Sequence, residues 1–274
     1  MTQQITCYLP LSIASNSGRD YANNLWRTQL LIKSLDKFFT SSLTLMIVSP
    51  ACQLNQIQNT LFGTSKIVLQ FIDQEIILPG ITKSPMSGWY KQQVISFAMT
   101  VMYPDLTILK LDPDLILVNP IDHADFFQES RTANDMWRMQ TNEYAPPYIY
   151  CSSMLDMTIP DLSWGLKWTP FILNPHVVSE LIFRLKSRGM SLLDLADKKP
   201  WTETLLYSII ANSSTKIEDF HFQAPLIGSM LNGKKQIFNF RIKPEDGIFA
   251  TLQGYTGITQ NEAHSILKKS NILL

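Results

Sequence analysis

Two carboxylates, Asp112 and Asp114, interrupt an otherwise apolar run, Thr107-Ile-Leu-Lys-Leu-Asp-Pro-Asp-Leu-Ile-Leu-Val-Asn-Pro120. A run of Ile and Leu bounded by polar turns reads as a strand buried on both faces, and carboxylates in such surroundings must be paired, hydrogen-bonded or bound to a metal. The acids are therefore expected at the strand's end, facing a cleft. Pro113 fixes its own φ and biases Asp112 towards an extended conformation, and in an extended chain residues two apart project to one side. Both carboxylates can then address one cation. Oxygen ligands suit hard ions such as Mg²⁺ or Mn²⁺, which fill their remaining positions with water and substrate phosphates. The plainer reading is a turn in which Asp and Pro end a strand. The apolar Leu115 to Val118 that follows at once, closed by Asn119-Pro120, tips the balance towards metal or phosphate chemistry.

Such a pair needs a scaffold, and the chain before it supplies one. Ile5 to Leu11, Leu43 to Val48 and Lys66 to Ile72 read as strands. Between them, Leu25, Ile32, Leu35 and Phe39 recur at helical spacing, and a Gln-rich helix is expected from about Ala51 to Leu61. This alternation argues for a mostly parallel sheet with helices on both sides, in which ligands bind outside the carboxyl ends of the strands. The polar loop carrying Asn16, Arg19 and Asp20 lies at that same edge. Ser84-Pro85 reads as a helix start, and the helix opened by Gly88-Trp89-Tyr90-Lys91-Gln92-Gln93 is apolar on nearly every side through Met102, as a buried helix is. Its polar positions 92, 96 and 100 fall on one line and need partners or a ligand.

After Pro120 the periodicity weakens. Residues 122 to 170 are loop-like and rich in aromatics, among them Trp137, Tyr144, Tyr148, Trp164 and Trp168, which suit either a sugar-binding platform or a second small core. Phe171 to Leu173 reads as a short strand, and Asn174-Pro175 caps a helix running to Arg188 and stopped by Gly189. Pro200-Trp201-Thr202-Glu203 begins another helix that runs to Ala211, with Glu203 in its first turn, where the helix dipole favours a carboxylate. Phe220 to Phe222 and Gln236 to Ile242 are expected as closing strands, and Thr259-x-x-Glu262 as the capping box of a last helix ending near Lys269.

Composition narrows the function classes. The 274 residues are 45% hydrophobic and 17% charged, with 23 basic and 23 acidic side chains, so there is no basic excess to suggest nucleic-acid binding. Cys7, Cys52 and Cys151 are widely spaced and form no CxxC pair, which points to a reducing compartment rather than to disulfides or zinc. No apolar stretch approaches the roughly 20 residues that span a bilayer. A cytoplasmic protein is expected, with peripheral membrane contact through exposed aromatics left open.

Three motifs then combine: Gly88-Trp89-Tyr90-x-Gln92-Gln93, about twenty residues later Leu111-Asp112-Pro113-Asp114-x-Ile116-x-x-x-Pro120, and finally Thr202-Glu203-x-x-x-Tyr207. Together they resemble an uncharacterised bacterial family of glycosyltransferase-like proteins with the GT-A type of fold, over about Ile5 to Ala211. The resemblance implies an α/β, Rossmann-like GT-A domain spanning 1–274, with a nucleotide-binding part over about 1–120 and an acceptor part over about 121–274. It implies transfer of a sugar from a nucleotide-sugar to a glycan or lipid-linked hydroxyl, as in surface polysaccharide synthesis. Asp112 and Asp114 match the Asp-x-Asp that holds Mn²⁺ or Mg²⁺ on the diphosphate. Pro113 departs from the Ser or Ala usual between the acids. His221 is the candidate for the later histidine that completes the metal shell. Asn16, Arg19, Asp20, Lys91, Gln92, Gln93 and Asp112 would bind the donor, and Glu203 or, second, Asp156 would act as base if the anomeric centre inverts. A nucleotidyltransferase, which usually carries a Gly-rich basic loop near its first strand, and a non-catalytic glycan or partner binder are the alternatives.

Overall fold

The computed structural model describes residues 3–13, 23–139, 145–157, 163–195, 200–233, 236–237, 239–253 and 256–272. Strands and helices alternate through the first seventy residues as expected: β1 (Ile5–Pro10), α1 (Asn23–Phe38), β2 (Leu43–Ser49), α2 (Ala51–Thr60) and β3 (Ile67–Asp73). The short α3 (Gln74–Ile77) leads to α4 (Gly88–Met102), β4 (Thr107–Lys110) and β5 (Leu115–Leu117). The stretch expected to be loop-like holds β6 (Phe127–Gln128), β7 (Arg131–Asn134), β8 (Met136–Arg138), α5 (Ala145–Leu155) and β9 (Trp164–Leu166), followed by β10 (Phe171–Ile172). The last third contains α6 (Pro175–Ser187), α7 (Leu192–Leu195), α8 (Glu203–Ser214), β11 (His221–Gln223), β12 (Ile227–Leu231), β13 (Phe249–Leu252) and α9 (Gln260–Lys269).

These elements form two compact units, each drawn from separate parts of the chain. Met1–Asp73, Leu111–Phe126 and Pro225–Leu274 make the first, Gln74–Lys110 and Phe127–Ala224 the second.

In the first unit, β2 lies between β1 and β3 and runs parallel to both, with Cys7 opposite Leu45 and Leu45 opposite Leu69. β1 and β2 are almost entirely buried, the pattern of strands covered on both faces. A second, small sheet pairs β13 with β12 in parallel and with β5 in antiparallel register, Leu117 facing Phe249. Beneath it, Leu30 of α1, Ile116 of β5, Leu231 of β12, Ala250 of β13 and Ile266 of α9 share one apolar cluster. The capping box that starts α9 is formed: Thr259 N–H donates to Glu262 Oε2 at 2.8 Å and Glu262 N–H to Thr259 Oγ1 at 3.3 Å. The strand expected over 236–242 is a correction. Gln236 N–H bonds Gly233 C=O and Phe240 N–H bonds Gln236 C=O, so the described part of this stretch turns rather than pairs. Ile237 and Ile242 still enter the core, which is what their apolar character required.

In the second unit, β10 pairs antiparallel with β4, placing Phe171 opposite Lys110. β7 pairs with β11 in parallel and with β6 in antiparallel register, and β8 with β9 forms a two-stranded ribbon. Helices α4, α6 and α8 pack on one another. α4 begins at Gly88 rather than at Ser84-Pro85, and Ser84 instead closes a preceding turn in which its N–H donates to Ile81 C=O. Two of its three aligned polar residues are satisfied within the helix: Ser96 Oγ donates to Gln92 C=O at 3.0 Å and Thr100 Oγ1 to Ser96 C=O at 2.9 Å. The expected cap at Asn174 is present, accepting from His176 N–H at 2.9 Å; α8 begins at Glu203 rather than at Pro200, capped by Thr202, which accepts from Leu205 N–H at 3.2 Å. Among the described residues no helix is long and apolar enough to cross a membrane.

Gly247 shows how tightly the small sheet is built. A Cβ on it would stand 2.4 Å from Gly228 N and 2.8 Å from Gly228 Cα, at the bulge between Ile227 and Ser229. Gly247 is extended, so sterics alone set the requirement. Gly247→Ala is expected to destabilise the protein by about 1–3 kcal/mol, read as a lower urea midpoint at unchanged m-value.

Candidate functional site

The Asp112-Pro113-Asp114 segment closes a tight turn between β4 and β5. Leu115 N–H donates to Asp112 C=O at 3.2 Å, so Asp112 opens a four-residue turn and Pro113 occupies its second position. This corrects the expectation of an extended segment, and it explains Pro113: a turn prefers Asp at its first position and Pro at its second, where φ is preset and no N–H is needed. Leu111 N–H donates to Tyr8 C=O at 2.8 Å and Leu252 N–H to Asp114 C=O at 2.9 Å, tying both ends of the turn to neighbouring strands of the first unit. These bonds use main-chain oxygens rather than the carboxylates, and both aspartates are half-buried. The donor set is two carboxylates two residues apart. Among the described residues no group of three or more His, Cys, Asp or Glu is arranged to hold a metal. An all-oxygen pair of this kind fits a hard divalent ion whose other positions are filled by water and substrate phosphate, as Mg²⁺ sites are built.

In the second unit a charged side chain that the sequence did not single out, Lys110, is the last residue of β4 and 5% exposed. Its ammonium pairs with the carboxylate Oε1 of Glu203, also 5% exposed, and stands 5.1 Å from the ring centroid of Phe171, its cross-strand neighbour. Glu203 is the first residue of α8, and its N–H donates to Gln93 Oε1 of α4 at 2.7 Å. A backbone N–H can only donate, so that contact assigns the amide: Oε1 faces α8 and Nε2 carries the two N–H groups away from it. Gln93 is 3% exposed, and its Nε2 has no hydrogen-bond partner among the described residues.

The other expected residues are distributed as follows. Gln92 is half-buried on α4, and its carbonyl accepts from Ser96. Lys91 Nζ donates to Thr82 C=O at 3.3 Å, and burial holds its ammonium below the usual lysine range, with Glu75 acting the other way. Asp156, exposed beyond the end of α5 with a φ of 55°, pairs with Arg188 at 3.1 Å. Asn16, Arg19 and Asp20 lie outside the described residues. Among the described aromatics of 122–170, the Trp164 ring lies 4.3 Å under the Arg138 guanidinium and Trp168 is exposed, while Tyr144 lies outside the described residues.

His221 is a correction. It is 1% exposed, and both ring nitrogens are occupied by the protein. Asn134 Oδ1 accepts from Ile172 N–H at 2.8 Å, so its Nδ2 is the donor that meets both Ile172 C=O at 2.9 Å and His221 Nδ1 at 2.8 Å. Nδ1 is thus an acceptor, taking a second bond from Thr132 Oγ1 at 2.8 Å. The proton lies on Nε2, which donates to the Tyr207 hydroxyl at 2.6 Å. Tyr207 in turn accepts from Asn174 N–H at 3.0 Å, and burial pushes its own ionisation upward. In this arrangement neither nitrogen is left for a cation.

Residues 2–265 match a family described as a family of unknown function, DUF6492. No curated protein matches the chain in sequence. In fold the chain is similar to the crystal structure of mouse xyloside xylosyltransferase 1 in its apo form, at 14% identity and a TM-score of 0.53, over 93% of this chain and 99% of that one. At that identity the likeness concerns the fold alone, a mixed α/β chain with the GT-A type of fold.

Burial pushes His221 down to about 3 from its ordinary 6.5. The unfolded chain therefore takes up a proton near pH 6.5 that the folded chain refuses, so this group's contribution to stability is present above that pH and is lost as the pH falls towards 3. The melting temperature of the wild type is expected to fall more steeply than that of His221→Gln between pH 6.5 and pH 4.5. Parallel slopes would show that His221 takes up its proton in the folded state.

Proposed function

The chain belongs to DUF6492, a family of unknown function, and we propose that it is a metal-dependent glycosyltransferase. It moves a sugar from a nucleotide-sugar to a hydroxyl of a glycan or lipid-linked acceptor, as surface polysaccharide synthesis requires. The observation that carries this reading is the Asp112-Pro113-Asp114 turn at the close of β4 in a chain of this fold.

In this reading Asp112 and Asp114 hold Mn²⁺ or Mg²⁺ against the donor diphosphate. When bound, the ion supplies Lewis-acid neutralisation of the charge that grows on the departing diphosphate. The chain's own contribution is to keep the turn rigid: Pro113 limits its backbone freedom, and the bonds from Leu115 and Leu252 fix both main-chain carbonyls. Asn16, Arg19 and Asp20 bind the nucleotide, and Gln92 and Gln93 orient the sugar. His221 holds the core of the second unit rather than the ion, and Lys91 holds the loop at Thr82.

A thermal-shift screen of UDP-, GDP- and CDP-linked hexoses and pentoses, with and without Mn²⁺, tests this on the wild type and on Asp112→Asn/Asp114→Asn. Asn is a favourable turn residue of the same size, so the double variant keeps the turn while losing both charges. One nucleotide-sugar at a hundred times its Kd is expected to add about 2.7 kcal/mol, or ~5 °C, to the wild type in the presence of the ion only. The double variant is expected to show no ion-dependent shift. Shifts that are equal with and without Mn²⁺, and equal in the variant, would favour a non-catalytic sugar-binding protein instead.

A further inference from the structure

A strand at the edge of a sheet presents a row of unpaired N–H and C=O groups, and proteins blunt such edges with charge, proline, a bulge or a covering segment. β3 ends its sheet: β2 pairs along one side of it in parallel register, and no strand pairs along the other among the described residues. Successive residues of a strand turn their main-chain groups to opposite edges. Leu43 N–H donates to Lys66 C=O at 2.8 Å, so the even-numbered residues of β3 turn towards β2 and the odd-numbered ones outward. Ile67 fits this alternation. Its N–H donates to Thr64 Oγ1 at 2.9 Å and its C=O accepts from Thr64 N–H at 3.0 Å, so the loop before β3 closes the first outward position. The next two, Leu69 and Phe71, make no hydrogen bond on that side among the described residues. Nor does the composition blunt the edge, since Val68 to Ile72 contains no charge, proline or glycine.

We propose that this edge pairs with the same edge of a second copy of the chain, forming a two-fold dimer through antiparallel β3–β3 pairing. The order of residues selects that occupant. Between Ile67, closed by the loop, and Asp73, where the strand ends, lies Val68-Leu-Gln-Phe-Ile72, which reads apolar, apolar, polar, apolar, apolar in either direction. A two-fold axis at Gln70 lays Val68 against the Ile72 of the second copy and Leu69 against its Phe71, so every apolar side chain of the stretch meets another. Leu69 and Phe71 both turn outward, and each such pair exchanges its N–H and C=O groups across the interface. Gln70 turns its main chain to β2 and meets its own copy as a non-hydrogen-bonded pair, the closer kind, in which the two side-chain amides bond each other. The next antiparallel register in either direction sets Gln70 against Val68 or Ile72, a polar side chain on an apolar one. Val68 is 52% exposed and Gln70 is exposed, so these side chains are open to a partner rather than packed in the chain's own core.

Sedimentation velocity of the full chain tests the pairing. The wild type is expected to be a dimer. Gln70→Lys and Gln70→Glu each set two like charges face to face at the axis, and each is expected to weaken the dimer roughly 100-fold. An equimolar mixture of the two variants sets unlike charges face to face and is expected to regain the dimer as a heterodimer. Because Gln70 is exposed, neither substitution disturbs the core, and circular dichroism should show both variants folded as the wild type is. Hydrogen exchange reads the same contact at the backbone: the Leu69 and Phe71 amides should be protected in the wild-type dimer and exchange faster in either variant. The proposal is overturned if the wild type is a monomer at the highest concentration it tolerates, or if its oligomer persists in both variants. It is also overturned if the mixture of variants stays monomeric, or if the Leu69 and Phe71 amides exchange alike in wild type and variants.

Discussion

Charge buried at Lys110 and Glu203 is the constraint around which the second unit is organised. Each side chain is 5% exposed, and an ion withdrawn from water to that degree costs several kcal/mol unless its partner and its hydrogen bonds are in place. Neither residue can therefore move alone. The end of β4, the start of α8 and the Phe171 ring opposite Lys110 are fixed together. Gln93 then closes the arrangement from α4 by accepting the first N–H of α8, so that a strand and two helices meet at one polar point in an otherwise apolar interior.

The second polar centre of that unit works differently. Around His221 the polar groups are held by the protein itself: Asn134 is oriented by the backbone of Ile172, Nδ1 is met by Asn134 and Thr132, and Nε2–H ends on Tyr207. A network of this kind, neutral across the physiological range, ties β7, β10, β11 and α8 together through buried side chains.

In the first unit the two aspartates stand on a short turn held by main-chain bonds to the flanking strands. Proline between them is not an obstacle to that geometry but its natural second residue. Rigidity at this position matters for any role in holding a cation, since a mobile carboxylate would lose conformational freedom on binding. Gly247, packed on Gly228, and Asn119, whose amide donates to the Gly247 carbonyl at 2.8 Å, brace the small sheet to which the turn leads.

Much of the architecture was legible along the chain. The alternation of β1, α1, β2, α2 and β3, the buried character of α4 and the caps at Asn174 and Thr259 all follow from residues within a few positions of one another. Helical and strand periods are local properties, and so is a cap. Asp112 and Asp114 stood out for the same reason, as charge inside an apolar run. What the sequence did not disclose were the relations between distant segments. Lys110 and Glu203 are 93 positions apart, and Asn134 and His221 are 87. β13 finds its partners in β5 and β12, whereas the apolar stretch over 236–242 buries its side chains without pairing. Apolar patterning states which residues must leave water. Which polar group each buried charge or amide meets depends on how far-separated segments close on one another, and only the tertiary structure decides that.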